Sequence, residues 1–224
     1  MRYVDINSIE PGQILGRNIF SSNGTVLLAE NVELTVYMIN TLKRVGVTMV
    51  YIKDPLFDDV ELDQVVSDET KQAVMNNMIA TFEAVRSGKD FHTKQLSISI
   101  DKMLEELFAN QELLIQLTDI RTDDNNKFVH AVNVCMMSVL MGMNYGLNAI
   151  QLKELALGAL LHDVGKVGME EEEDDPESKQ HHTWRGFEII KNKREFSLMT
   201  AHIALQHHER VDGTGFPRKI DIDN

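Results

Sequence analysis

The chain has 224 residues, 43% of them hydrophobic and 25% charged, enough to bury one medium domain and a small one. Its formal net charge of -13 excludes non-specific binding to a nucleic-acid polymer, which needs a basic face. The single cysteine, Cys135, excludes an intramolecular disulfide and fits a reducing compartment, so the cytoplasm is the expected location.

The first residues, Met1-Arg2-Tyr3-Val4-Asp5-Ile6-Asn7, contain no apolar signal core. The most apolar run, 132–143, is broken by Asn133 and Ser138 and is too short to cross a bilayer, so no membrane association is expected. Residues 1–55 read as a small α+β module. A strand over 14–20, a turn at Ser21-Ser22-Asn23-Gly24 and a returning strand over 25–28 predict a hairpin. Helical spacing runs over 32–45, Gly46 stops it, and 47–52 alternates like a strand. Nothing in this module has ligand chemistry, which suits a regulatory or docking role towards signalling proteins.

Residues 56–122 read as a connector. Asp54-Pro55 breaks the chain, 57–68 is acidic, and two amphipathic helices are predicted over 68–86 and 93–118. Leu96, Ile100, Met103, Leu104, Leu107 and Phe108 form a stripe that either packs on the helices that follow or pairs two copies; a homodimer is the expectation.

In residues 123–224 the reading is helical. The segment 126–145 is an apolar helix with Met136, Met137, Met141 and Met143 as adaptable core filler and Cys135 as a small buried hydrophobe. His130 lies near its start. Asn148 caps the next helix, whose apolar run ends in Leu160-Leu161-His162-Asp163-Val164-Gly165-Lys166, with glycine as the helix stop. Lys166, past that end, is free to turn towards an anion. Residues 170–175 are all Glu or Asp and read as a solvated loop. A helix over 187–193, a last helix over 196–209 and a turn-rich loop at Asp212-Gly213-Thr214-Gly215-Phe216-Pro217 complete the chain.

Six of the eight histidines fall between positions 162 and 208. Taken singly, His130 is either a packed or surface residue or a ligand, and His162-Asp163 is either a hydrogen-bonded structural pair or a metal-binding one. The clustering favours ligands, because core packing gives no reason for it. Neutral imidazoles with a carboxylate suit iron, manganese, zinc or nickel. His130, His162, Asp163, His182, His207 and His208 are carried by different helices able to point into one interior, as carboxylate–histidine dinuclear centres are built. Six ligands exceed one tetrahedral ion, so two divalent ions are expected, with Asp163 able to bridge them. Two such ions can lower the pKa of a shared water and neutralise a phosphoryl group during in-line attack. His92 reads as a surface residue, His181 as a neighbour of the ligands, and His202 has no assigned role.

His162-Asp163-Val164-Gly165-Lys166, then His182-x-x-x-Gly186, then His207-His208-Glu209-Arg210-x-Asp212-Gly213-Thr214-Gly215-Phe216-Pro217 resemble the motifs of the HD-GYP family, over residues 123–217. The resemblance implies a mainly α fold, a helical HD-type bundle behind the small α+β module. It implies a dinuclear, sometimes trinuclear, centre, often iron, with manganese next. It implies phosphodiesterase action on cyclic di-GMP, in which a metal-bound hydroxide yields linear pGpG and then GMP. Residue by residue, His130, His162, Asp163, His182, His207 and His208 match the family's metal ligands. Lys166 matches the lysine that contacts the substrate phosphate, so Asp163 and Lys166 are the expected catalytic residues. Gly215, Phe216 and Pro217, with Lys166, are the expected substrate-binding residues.

Four departures from the family pattern carry expectations of their own. Phe216 stands where the family has tyrosine and lacks its hydroxyl. Asn126 stands where trinuclear members carry glutamate, which favours two metals over three. The 166–182 segment is shorter and acidic, adding repulsion towards an anionic substrate. The sequence ends at Asn224, before the family's further aspartate ligand, with Asp212, Asp221 and Asp223 as nearby substitutes; it is expected to be a piece of a longer protein or to have an incomplete site. Two other readings follow: a degenerate domain that binds a nucleotide or a protein without hydrolysis, and an HD-type phosphohydrolase acting on another nucleotide.

Overall fold

The computed structural model describes residues 1–21, 26–54, 65–110, 126–169, 178 and 181–221; the acidic run 170–175, the prolongation of the second amphipathic helix to 118, and Asp223 lie outside them. Among these residues are four short strands and seven α-helices, a mainly α protein with a small α+β part at its N-terminus. The chain divides into two compact units, residues 1–67 with 110–130 and residues 68–109 with 131–224.

In the first unit, β1 (Arg2–Asp5) pairs antiparallel with β4 (Met49–Ile52), Arg2 opposite Ile52 and Asp5 opposite Met49. The strand expected over 47–52 is present, shortened, but its partner at the extreme N-terminus has no sequence signal: four residues are too few to show alternation, and the pairing is wholly non-local. The strand expected over 14–20 is interrupted. Only Ile19–Phe20 (β2) and Val26–Leu28 (β3) form the hairpin, while Ile14 and Leu15 bridge separately to Glu33 and Ile52. Leu15, Ile19, Leu34, Leu42, Val50 and Ile52 fill the core of this unit, covered by α1 (Val36–Arg44). That helix starts four residues later than its periodicity predicts, because the Thr35 side chain accepts the Met38 amide and caps it there.

The second unit is all helical. The helices α2 (Asp68–Arg86) and α3 (Thr93–Ala109) pack antiparallel; Thr70 Oγ1 donates to Glu106 at 2.6 Å near one end and Asn77 reaches the Gln95 carbonyl near the other. Leu96, Ile100, Met103, Leu104 and Leu107, most of the stripe read from the sequence, are buried, whereas Phe108 is exposed. The Lys153 ammonium on α5 (Ala149–Leu161) pairs with Asp101 on α3 at 2.7 Å. The α4 helix (Asn126–Asn144) sends the Cys135 thiol to the Ala156 carbonyl of α5, 3.2 Å away. Of its methionines Met136 is core, but Met137 and Met141 are exposed, so the expectation of four core methionines is corrected. Spacing that reaches all round a helix cannot place every side chain on its buried side.

Three helices shape the site. Asn148 caps α5 through a reciprocal pair: its side chain accepts the Ile150 and Gln151 amides, and Gln151 accepts the Asn148 amide. The α7 helix (Leu198–Gln206) crosses α5 where Gly158 leaves room for Ile203. The α6 helix runs from His182 to Lys191, starting five residues before the expected 187. The reason is local: His181 Nδ1 accepts from Thr183 and supplies a cap that no residue preference advertises. Among the described residues no helix is long and apolar enough to cross a membrane.

Candidate metal centre

Two helices deliver their histidines in the same way. His162 follows the last residue of α5, and its Nδ1 lies 2.8 Å from the Ala159 carbonyl. His207 follows the last residue of α7, and its Nδ1 lies 2.8 Å from the Ala204 carbonyl. A carbonyl only accepts, so each Nδ1 carries a proton and each ring turns its Nε2 outward. This is the outer-shell arrangement that orients histidines towards a metal.

The HD turn is seated on the start of α6. After Leu161 the chain bends at His162-Asp163 and makes a tight 3₁₀ turn, Val164–Lys166. Gly165 was expected to stop the helix. The helix has already ended when Gly165 is reached, and the glycine serves close approach instead: a Cβ there would overlap the His182 carbonyl and come within 2.7 Å of the Gly186 amide nitrogen. With Gly165 and Gly186 both bare, α6 lies against the turn and brings buried His182 to Asp163. Arg185 ties the far side, donating to the Val167 carbonyl at 3.1 Å.

Four imidazoles and one carboxylate converge. His182 Nε2 is 3.2 Å from His207 Nε2 and 3.1 Å from His208 Nε2. Asp163 Oδ2 is 3.3 Å from His162 Nε2, and Oδ1 is 3.5 Å from His207 Nε2 and 3.6 Å from His182 Nε2. The last two separations exceed a hydrogen bond, and Oδ1 is buried with no hydrogen-bond partner among the described residues. Two geometric groups of ligand atoms result, His182–His207–His208 and His162–Asp163–His207, sharing His207.

This donor set fits a divalent metal. Ligands about 2.1 Å from one ion, at angles between square and tetrahedral, stand roughly 3.0–3.4 Å from each other. The imidazole nitrogens sit at that spacing, His182 Nε2 facing both His207 and His208. An orphaned carboxylate oxygen beside them completes a mixed nitrogen–oxygen set of the kind first-row divalent ions favour.

The electrostatics agree. Burial alone would raise the Asp163 carboxyl, but the His162 and His207 rings and the Lys166 ammonium more than offset it and hold it far below the usual carboxylate range. The His208 ring is pushed down to about 4, by burial first and then by His207, His182 and Lys166, against the opposing pull of Asp163. A neutral imidazole and an ionised carboxylate are the forms that bind metal. Lys166 is exposed, and its ammonium is turned to the Asp163 carboxylate, contacting Oδ2 at 2.9 Å.

The remaining expected residues are accounted for as follows. His130 is exposed on α4 and belongs to the first compact unit, whereas the other five expected ligands belong to the second. Phe216 stacks on His208, ring centroids 4.7 Å apart, and meets His181 edge-on at 5.1 Å. Gly215 is buried and lies against the backbone of Glu209 and Arg210, and Pro217 follows Phe216 through a cis peptide bond. Asp212 is exposed and bonded to Thr214, and it faces Asp221 across an antiparallel bridge. His92 is exposed, and His202 sits against Phe187. Glu209, which had no role in the sequence reading, accepts the Arg218 and Ile220 amides at 2.6 and 3.1 Å. Its position directly after the histidine tandem was the one available hint.

An HD domain family model matches residues 128–223. The chain is 27% identical over 149 residues to the cyclic di-GMP phosphodiesterase PA4108 of Pseudomonas aeruginosa, covering 62% of this chain and 36% of that protein. It is 31% identical over 124 residues to a cyclic di-GMP phosphodiesterase of Thermotoga maritima, covering 51% of this chain and 33% of that protein. It is 26% identical over 147 residues to the 3'3'-cGAMP-specific phosphodiesterase 2 of Vibrio cholerae, covering 61% of this chain and 27% of that protein. The chain thus spans about a third of the length of these curated relatives. No solved structure matches it. The HD turn, the histidine tandem and the divalent-metal donor set all lie on one helical unit, within the residues 128–223 that the HD domain model matches, and in this the chain is similar to those phosphodiesterases.

Proposed function

We propose that this chain carries the centre of a metal-dependent phosphodiesterase that hydrolyses cyclic di-GMP to linear pGpG and then GMP. The observation that carries the reading is the convergence of four histidines around Asp163, whose buried Oδ1 lies beside His182 and His207 with no hydrogen-bond partner among the described residues. His162, Asp163, His182, His207 and His208 would hold two divalent ions, iron or manganese by preference and zinc or nickel tolerated. Such a pair supplies Lewis acidity towards the phosphoryl oxygens and an activated water. The protein's own part is orientation and charge. Asp163 stays ionised, the two helix-end carbonyls hold His162 and His207 in one tautomer, and Lys166 exchanges its contact with Asp163 for a substrate phosphate, stabilising the charge that builds during attack. Residues 1–55 act as the regulatory or docking module, residues 56–122 as connector, and a homodimer in the cytoplasm is the working form.

The names of the relatives support this substrate, and the Vibrio cholerae relative supports a second reading, a related mixed cyclic dinucleotide. One experiment separates them. Protein loaded with iron or manganese is incubated with cyclic di-GMP and with 3'3'-cGAMP, and linear products are followed by chromatography. Linear pGpG that disappears with Asp163→Ala supports the first reading, and turnover of the mixed dinucleotide alone supports the second. Binding without turnover of either makes the domain a nucleotide-binding signalling module.

A further inference from the structure

The geometry points to Glu209 as a positioning residue that, through the loop behind the histidine tandem, holds the His208 ring at its place in the centre. This rests on the metal-binding reading of that centre.

His207 has the Ala204 carbonyl to orient it. His208 meets His182 through Nε2 at 3.1 Å and His207 at a centroid distance of 4.1 Å, and the face of Phe216 is stacked on it with an interplanar angle of 25°. Phe216 is therefore turned to a ligand histidine, and what keeps it there is the loop that carries it. That loop is closed at several points. The Phe216 amide donates to the His208 carbonyl at 3.3 Å, the Gly213 amide to the Arg210 carbonyl at 2.9 Å, and Asp212 bridges to Asp221.

The half-buried Glu209 carboxylate makes the tie of longest reach. One oxygen accepts the Arg218 amide at 2.6 Å and the other the Ile220 amide at 3.1 Å, nine and eleven residues along the chain. A carboxylate accepting two backbone N–H bonds is a charge-assisted clamp, stronger than neutral pairs. Gly215 lets the clamp close, since a Cβ there would come within 2.6 Å of the Glu209 carbonyl carbon. Pulling 218–220 back onto residue 209 presses the intervening Phe216 against His208. The loss of the tyrosine hydroxyl at this position leaves that role intact, because stacking needs the ring alone.

The test titrates the metal-free full chain with Mn²⁺, reading the free-ion electron paramagnetic resonance signal, with limited trypsin digestion alongside. Glu209→Ala and Phe216→Ala are expected to weaken Mn²⁺ binding by about 10-fold or more, the range in which outer-shell partners act. Glu209→Gln, which keeps one acceptor oxygen, should recover part of the loss. Cleavage after Arg210, Arg218 and Lys219 should accelerate in Glu209→Ala while far-UV circular dichroism is unchanged. If Asp163→Ala loses Mn²⁺ but Glu209→Ala binds it like wild type, the metal reading stands and the clamp is overturned; if neither variant weakens binding, both fall. Should Glu209→Ala unfold, Phe216→Ala carries the test, and wild-type affinity there overturns the proposal.

Discussion

Gly165 lies so close to His182 that a methyl group on its α-carbon would overlap the His182 carbonyl. The contact joins the HD turn to the first turn of α6 through backbone alone, and no side chain can substitute for it.

Gly165→Ala should therefore act twice. Forcing an extra carbon into a packed contact costs about 1–3 kcal/mol, and the relief available is to push α6 and its His182 away from Asp163. Urea unfolding should report the lost stability and a metal titration the lost affinity. A variant with wild-type values in both would mean that α6 is not held by this contact.

Asp163→Asn keeps the shape of the side chain and removes its charge. Because the ring–carboxylate contacts and the Lys166 ammonium all favour the ionised form, the amide loses both the attraction to Lys166 and a ligand oxygen. Metal affinity should fall by more than the roughly 10–100-fold typical of outer-shell changes, measured by elemental analysis after dialysis against defined free metal. Retention of wild-type metal content would remove Asp163 from the centre.

Acid should destabilise the metal-free protein over a defined window. The folded His208 ring takes a proton only at about 4, whereas the unfolded chain takes one near the ordinary imidazole value of about 6.5. Between these values the unfolded state binds a proton that the folded state does not, so this contribution is complete above about 6.5 and is lost as pH falls towards about 4. Melting temperatures recorded from pH 7.5 to 4.5 should fall, and His208→Asn should show the shallower slope. Equal slopes would mean that the ring is not held neutral.

Burial pushes the Cys135 thiol well above its usual range, and its hydrogen points at the Ala156 carbonyl. Only the thiolate attacks a disulfide reagent. Labelling at pH 8 should therefore be slow in the folded chain and become rapid once denaturant opens the α4–α5 contact. Rapid native-state labelling would place the thiol at the surface.

The features of the centre most legible in the sequence were those with a local signature. Asn148 and Gln151 announce the start of α5 by their spacing, and the histidine tandem and His162-Asp163 announce themselves by composition. In the second unit the fold gathers five of the six expected ligands. What stayed hidden depends on contacts distant in sequence or on unusual chemistry. The start of α6 was obscured because Thr183, Trp184 and Gly186 are poor helix formers and the cap is a histidine. Gly165 was read as punctuation because a stop and a close backbone approach leave the same letter in the sequence. Strand β1 shows only in its distant partner, with Arg2 opposite Ile52 and Asp5 opposite Met49.

The carbonyls of Ala159 and Ala204 act before any ion arrives. Because helix ends fix the tautomer and heading of two rings, much of the ordering entropy of the centre is lost during folding of the unit itself. An incoming cation meets a prepared cage. Capture should be quick, with little rearrangement, and a rigid set of mixed nitrogen and oxygen donors discriminates weakly among ions of similar size. Which element fills the cage is then left to supply in the surrounding solution, and the same polypeptide produced in iron-poor or manganese-rich medium should emerge carrying different metals on an unchanged backbone.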